Sequence, residues 1–206
     1  MYRPSAFAED DPELIAAMIA RAGLAVLVGQ GPDGLFATHL PLRWDRDRGM
    51  LEGHMAAANP HPRLGAHDAL AVFAGPHGYV SPGFYPSKAE HGRQVPTWNY
   101  EAVHVHGRAE WFSDPARLRG QLERLTDAHE AGRARPWRVS DAPPDYAARL
   151  LRGIVGVEIT ITRVEAKRKL SQNKDARDRA GVIAGLRADG RADLADLMAQ
   201  LETSST

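Results

Sequence analysis

The chain has 206 residues, with 26 lysines and arginines balanced by 26 aspartates and glutamates, and no cysteine. Zero net charge argues against a strongly basic nucleic-acid binder and suits a protein that buries surface in an oligomer. The missing thiols exclude disulfides, cysteine nucleophiles, iron–sulfur clusters and cysteine zinc sites. No apolar run reaches membrane-spanning length, and "MYRPSAFAEDDPEL" lacks the cationic-then-apolar pattern of a signal peptide, so a cytoplasmic protein is expected.

Asp11-Pro12 supplies an N-cap and a proline at the first helical position, and Leu14, Ile15, Met18, Ile19 and Ala22 form one face of a helix that Gly23 ends. Strands are predicted at Leu24–Val28, Leu35–Leu42, Met50–His54 and Ala69–Phe73, with a short helical connection across Ala56–His67. Between the first two strands, "GQGPDG" (Gly29–Gly34) has the G-x-G-x-x-G spacing of a dinucleotide-binding loop. That loop requires a helix after its third glycine. Here "LFATHLPLRW" alternates in period two and carries Pro41, so a hairpin is predicted instead.

A long alternating strand follows at Thr97–Phe112, then a helix from Asp114-Pro115 to about Glu130. Asp141 is a candidate cap for "PPDYAARLLRGI", Ile154–Val164 reads as a β-branched strand, and one or two helices close the chain. Antiparallel strands with peripheral helices suggest a small barrel, in one domain spanning 1–206 with a helical extension from about residue 175.

Three segments could carry chemistry. In "HLPLRW…LEGHMAAANPHP", a strand ending at Gly53-His54 and entering a short helix could hold a phosphate, or could be a plain strand–helix turn. "GPHGYVSPGFYPSKAEHGRQVPTWNYEAV" (Gly75–Val103) combines Tyr79, Phe84, Tyr85, Trp98 and Tyr100 with donors from Lys88, Arg93, Thr97 and Asn99. Such a loop shapes a surface for a planar heterocycle or another chain, or packs over its own barrel. "KRKLSQNK" (Lys167–Lys174), placed directly after the last strand, offers cations and amides to a phosphate or a ring edge; a solvated basic loop is the bland alternative. Arg177 and Arg179 extend that run toward a DNA contact, but Asp175 and Asp178 dilute it and no helix-turn-helix pattern surrounds it. His104 and His106 share a strand face without a third metal ligand, so no metal is expected, and no G-x-S-x-G nucleophile exists.

Taken in order, "MYRPSAF", "HLPL", "GHMAAANP", "VFAGPHGYVSPGFYPSK", "VPTWNY", "LTDAHE", "WRVSDAP", "IVGVEITI" and "KLSQNK…RAGVIAGL" resemble the PaiB-like, FMN-binding negative transcriptional regulators. The resemblance spans Met1 to Leu186. It implies a mainly β, antiparallel Greek-key split β-barrel related to pyridoxamine-phosphate oxidases and flavin reductases, and a homodimer holding FMN at the subunit interface. It also implies that His39, Leu40 and Pro41 run past the isoalloxazine, that His54 and Asn59 lie near the phosphate, and that Thr97, Trp98 and Asn99 line the ring or ribityl chain. Lys169, Ser171, Gln172 and Asn173 would approach from the C-terminal side, on the same chain or its partner, with Lys169 favouring an anionic reduced flavin. Two departures from the family pattern are Phe84, where a tryptophan is expected, and Ala166-Lys167-Arg168-Lys169, where Gly-Lys-Trp-Lys is expected. The implied function is a flavin-dependent regulator of transcription with doubtful direct DNA contact. The alternative is an FMN-dependent NAD(P)H oxidoreductase. A haem-degrading role fits poorly, because some split-barrel relatives use a C-terminal histidine and none follows His129 here.

Overall fold

The glycine-rich stretch is a hairpin. In a computed structural model of the chain, which describes residues 1–203, β2 (Leu24–Gly31) turns at Pro32-Asp33 into β3 (Gly34–Asp45), with Gly31 opposite Gly34. Gly34 has φ of 113°, which a side chain would disfavour. The third glycine therefore opens a strand, and the helix that a phosphate loop needs is not there. Gly29 answers to a different constraint. A Cβ on it would lie 2.4 Å from His67 Nε2 and 2.9 Å from His61 Nε2, so the strand passes the two imidazoles only without a side chain.

The chain divides into two compact units. The barrel unit comprises Ile19–Phe73 and His104–Val164. It contains β2, β3 and β4 (Met50–Ala56), with residues of β5 (His67–Val80), β6 (Thr97–Phe112) and β7 (Ile154–Lys169). Their order is β7-β4-β3-β2-β5-β6, and a further β7–β6 pairing closes the ring and removes exposed edges. Strand β5 returns beside β2 after the β2-β3-β4 meander, which is a Greek key. Alternate residues fill the interior: Ala25 and Leu27 on β2, Leu40 and Leu42 on β3, Leu51 and Met55 on β4, Val157 and Ile159 on β7 are all buried. Each fully buried leucine or isoleucine contributes about 1.5–3 kcal/mol of apolar transfer free energy.

Glu52 breaks this pattern, being 1% exposed on β4. Its carboxylate accepts from Arg43 at 2.7 Å and from Arg124 at 2.7 and 2.9 Å. Burial works against the charged form, but the Arg124 and Arg43 bonds prevail and hold Glu52 below the usual carboxylate range. The same contacts seat a long helix (Pro115–Glu130), which Asp114 caps at the Arg117 N–H. Gln121 of that helix donates to Gly53 O at 2.6 Å, fixing it to the sheet backbone.

The second unit comprises Met1–Met18, Ala74–Val103 and the residues from Glu165 onward. Strand β1 (Ala8–Glu9) adds to the end of β7, with Ala8 opposite Lys167. Helices Ala176–Ala188 and Ala192–Thr203 pack Val182, Leu186, Leu194 and Met198 against Val80, Tyr85 and Leu170.

Three details differ from the sequence expectation. Strand β5 continues to Val80 and β7 to Lys169, so Gly75–Val80 and Lys167–Lys169 are strand rather than loop. The β7 extension is held by β1 and by Arg168, whose guanidinium meets Glu101 at 2.7 Å and Glu9 at 3.6 Å. Strand β4 runs through His54 to Ala56, and the next helical turn begins only at His61, so His54 does not stand at a strand–helix junction. Finally, Asp141 does not cap the helix Pro144–Leu151, whose N-cap is Pro143 with no side-chain bond. Its carboxylate is taken by the Arg138 N–H at 2.9 Å.

Candidate functional site

The sequence-predicted residues fall into both units. On the barrel unit, His39 is exposed on β3, Leu40 is core and Pro41 is half-buried. Asn59 donates to Thr38 Oγ1 at 3.3 Å and accepts the His61 N–H at 2.9 Å. That pair orders the turn and orients His61, whose Nδ1 lies 3.0 Å from the Thr38 hydroxyl. His54 faces a different neighbourhood, a cavity it shares with Trp137 and Tyr146. The structure does not bring His54 and Asn59 to one point.

In the second unit, by contrast, the predicted residues converge. Strand β6 begins after Pro96, and its alternation places Thr97 and Asn99 toward a cleft. Lys169 ends β7 beside them, and Ser171 and Asn173 follow in the turn. The cleft has a volume of about 220 Å³. Asn99 is 1% exposed and donates to Ser171 Oγ at 2.9 Å. Ser171 has φ of 63°, the one positive value at a non-glycine among the described residues. Holding serine there costs on the order of 1 kcal/mol or more, strain that is retained only where surrounding contacts impose it and that clusters at functional sites. Those contacts are visible: Gln172 donates to Arg168 O at 2.6 Å and accepts the Leu170 N–H at 2.8 Å. Gln172 thus shapes the turn and does not line the cleft.

Lys169 donates to Thr97 Oγ1 and to Trp98 O. These are neutral oxygens, and no carboxylate meets its ammonium among the described residues. Burial first, and the neighbouring Lys167 second, push its pKa below the usual lysine value. An anion in the cleft would relieve both effects. Trp98 is 53% exposed and points away from the cleft, with His77 at 6.2 Å and Tyr79 at 6.3 Å between ring centroids. Lys88 stands exposed on the short helix Lys88–His91, outside the cleft lining.

Four lining residues were missed as site residues: Phe7, Tyr85, Val95 and Lys174. Lys174 donates to Gln94 Oε1 at 2.8 Å and lies 4.9 Å from the Tyr85 ring centroid. The signal for all four was present in "MYRPSAF", "YPSK", "VPTWNY" and "SQNK", stretches already singled out in the sequence, where Tyr85 was named among the aromatic residues. Behind the cleft, Asp178 accepts from the Ser87 hydroxyl at 2.7 Å and from Gln94 at 3.0 Å. Burial opposes its charge, but the Ser87 bonds outweigh this and keep its carboxyl low. This pins the Ser81–Pro96 loop that delivers Thr97.

Residues 1–163 match the family described as "Putative FMN-binding domain". The chain belongs to this FMN-binding family. It is 33% identical over 190 residues to the protease synthase and sporulation protein PAI 2 of Bacillus subtilis, covering 90% of this chain and 89% of that one. It is 32% identical over 225 residues to an uncharacterised protein of Emericella nidulans, with 90% of each covered. Among solved structures it is similar to the FAD and haem binding protein of Mycobacterium smegmatis, with a TM-score of 0.61 at 17% identity over 84% of this chain and 78% of that one. The flavocytochrome Anf3 of Azotobacter vinelandii gives 0.59 at 20% identity, covering 84% and 74%. At these identities the structures establish the fold, the split barrel expected from the sequence, and FMN is the cofactor of the family.

The donor set of the cleft fits such a cofactor. Lys169 and Lys174 offer positive charge, Thr97 and Ser171 hydroxyls, and Asn99 and Asn173 amides, which together suit an anionic polyol and the heteroatom edge of a ring. Its volume lies below the roughly 300 Å³ at which pockets begin to enclose a whole small-molecule ligand.

Proposed function

We propose that this FMN-binding chain is a negative regulator of transcription of the PaiB type, working as a homodimer whose flavin cleft reports a redox state or a metabolite. Thr97, Asn99, Lys169, Ser171 and Asn173 would hold the flavin, and a second copy would complete the enclosure that the small cleft of one chain leaves open. Bound FMN supplies two-electron redox chemistry. The observation that carries the reading is Lys169: a partly buried ammonium bonded only to neutral oxygens. Such a cation binds a reduced, negatively charged ring more tightly than a neutral one, and a ligand-state difference in affinity is what a sensor needs. The relation to the PAI 2 protein over nearly the full chain supports a regulatory role. Zero net charge points to regulation without strong direct contact with DNA.

The exposed ring group of Trp98, Tyr79 and His77 favours a second reading, an FMN-dependent NAD(P)H oxidoreductase, because it offers a surface on which another planar ring could stack. No helix among the described residues is long and apolar enough to cross a membrane. One experiment separates the readings: flavin-loaded protein, oxidised and reduced, is tested for repression of its promoter in a transcription assay, with promoter binding followed across a salt series, and for NADH and NADPH oxidation against matched free FMN. Redox-dependent repression without turnover above the free-FMN control supports the regulator. Turnover well above that control, with no redox effect on transcription, rejects it in favour of the enzyme.

A further inference from the structure

The end of β7 carries three cations in a row, Lys167, Arg168 and Lys169, and each meets different partners. Lys167 donates to the Tyr2 carbonyl at 3.2 Å and lies 5.2 Å from the Tyr100 ring centroid. Lys169 donates to Thr97 Oγ1 and Trp98 O at the cleft. Arg168, between them, meets carboxylates. Its Nε donates to Glu101 at 2.7 Å, and a second guanidinium nitrogen lies 3.6 Å from Glu9. The Arg168–Glu101 pair is buried, with side-chain exposures of 10% and 1%. Glu101 has little room to turn away, because it packs on the bare backbone of Gly75, where a Cβ would come within 3.0 Å of its own. Successive strand residues face opposite ways, so a slip of one residue would exchange the faces of all three cations. Such a slip would turn Lys169 out of the cleft and toward Glu101, which would still have a cation beside it. Charge alone therefore does not choose the register. The guanidinium does, because its fork reaches one carboxylate on β6 and one on β1 together, which a single ammonium does not. The following turn is built on the same residue, since Gln172 donates to Arg168 O at 2.6 Å.

We propose that the buried Arg168–Glu101 pair sets the register of the end of β7 and thereby selects Lys169, out of three consecutive cations, as the one that faces the cleft. Arg168 is then a positioning residue: it is not part of the cleft wall and acts through Lys169. Fixing a register is the best-attested use of a buried charged group, whose net contribution to stability is otherwise small. The consequence for flavin rests on the cleft reading, whereas the register itself does not.

The test reads the register directly, in the flavin-free full chain, from the cross-strand nuclear Overhauser contacts that pair Ala8 with Lys167 and Glu9 with Ala166. FMN affinity is measured separately by equilibrium dialysis. Arg168→Met leaves the Glu101 carboxylate without its arginine and beside a strand that still carries two lysines. The native contacts should give way to contacts shifted by one residue, and FMN should bind at least about tenfold more weakly. Arg168→Lys keeps a cation opposite Glu101, and Arg168→Met combined with Glu101→Met removes the carboxylate that draws Lys169 over. Both should keep the native contacts and bind FMN within about twofold of wild type. A merely structural pair would not produce a shifted register, nor recover it when the second partner is removed. Should Arg168→Met not fold, Arg168→Gln, whose amide can donate to Glu101, replaces it, with a smaller share of shifted contacts expected. Native contacts throughout in the Met or Gln variant, or their loss in the double variant, would overturn the proposal. Wild type that fails to retain FMN would dismiss the cleft reading instead, and the contacts would still decide the register.

Discussion

Acidification should destabilise this protein through His61 before its carboxylates are protonated. The imidazole is fully buried, its Nδ1 meets Thr38, and its Nε2 has no partner. Burial, with a smaller contribution from His67, lowers its pKa from 6.5 to about 4. The folded value lies below the unfolded one, so between the two the unfolded chain binds more protons. Stability is therefore complete above pH 6.5 and is lost as pH falls toward 4. The full difference amounts to about 3 kcal/mol, of which about 2 kcal/mol falls between pH 7 and 5. Urea unfolding of wild type and His61→Leu at pH 7, 6 and 5 measures it. The wild type should lose about 2 kcal/mol more than the variant over that range, a difference in which the contribution of His54, also lowered by burial, cancels. Equal pH slopes in the two proteins would refute the argument.

Other consequences are open to direct measurement. Gly29→Ala places a methyl against two imidazoles at 2.4 and 2.9 Å, and should destabilise by about 1–3 kcal/mol in thermal melts through overpacking. Glu52→Gln leaves the partly exposed Arg43 and Arg124 facing a neutral amide, with Asp45 still on Arg43, and should cost about 1.5–2 kcal/mol; an unchanged melting temperature would show the network to be energetically idle. Ser171→Gly removes the strain of the positive φ but also the hydroxyl that meets Asn99. The variant should fold at least as well as one carrying alanine there, yet bind FMN more weakly than wild type by equilibrium dialysis.

Much of this architecture is legible in the sequence because it rests on local chemistry. Thr97–Phe112 has the same bounds in both, since strict alternation after a proline leaves little choice. Pro32-Asp33-Gly34 dictates its own turn. What the sequence hides is long-range. Nothing local announces that Lys167–Lys169 stays extended, because β1 and the Arg168–Glu101 pair hold it from 67 or more residues away. His54 and Asn59 are five residues apart and read as one motif. The strand continues through His54, and the fold sends its imidazole to the cavity beside Trp137, while Asn59 turns to Thr38 and His61. The reverse holds for Thr97, Asn99, Lys169 and Ser171. They sit some 70 residues apart, and only strand pairing makes them neighbours. Family resemblance suggested them, and Phe7 was not named because a single aromatic residue carries no spacing.

The central claim is that FMN is held by the cleft around Lys169. The most direct measurement is the visible spectrum of wild type and Lys169→Ala after saturation with FMN and removal of unbound cofactor. The account predicts flavin bands at about one per chain in the wild type and their loss in the variant, with both proteins equally folded by circular dichroism. A variant that retains its flavin with unchanged affinity would contradict it.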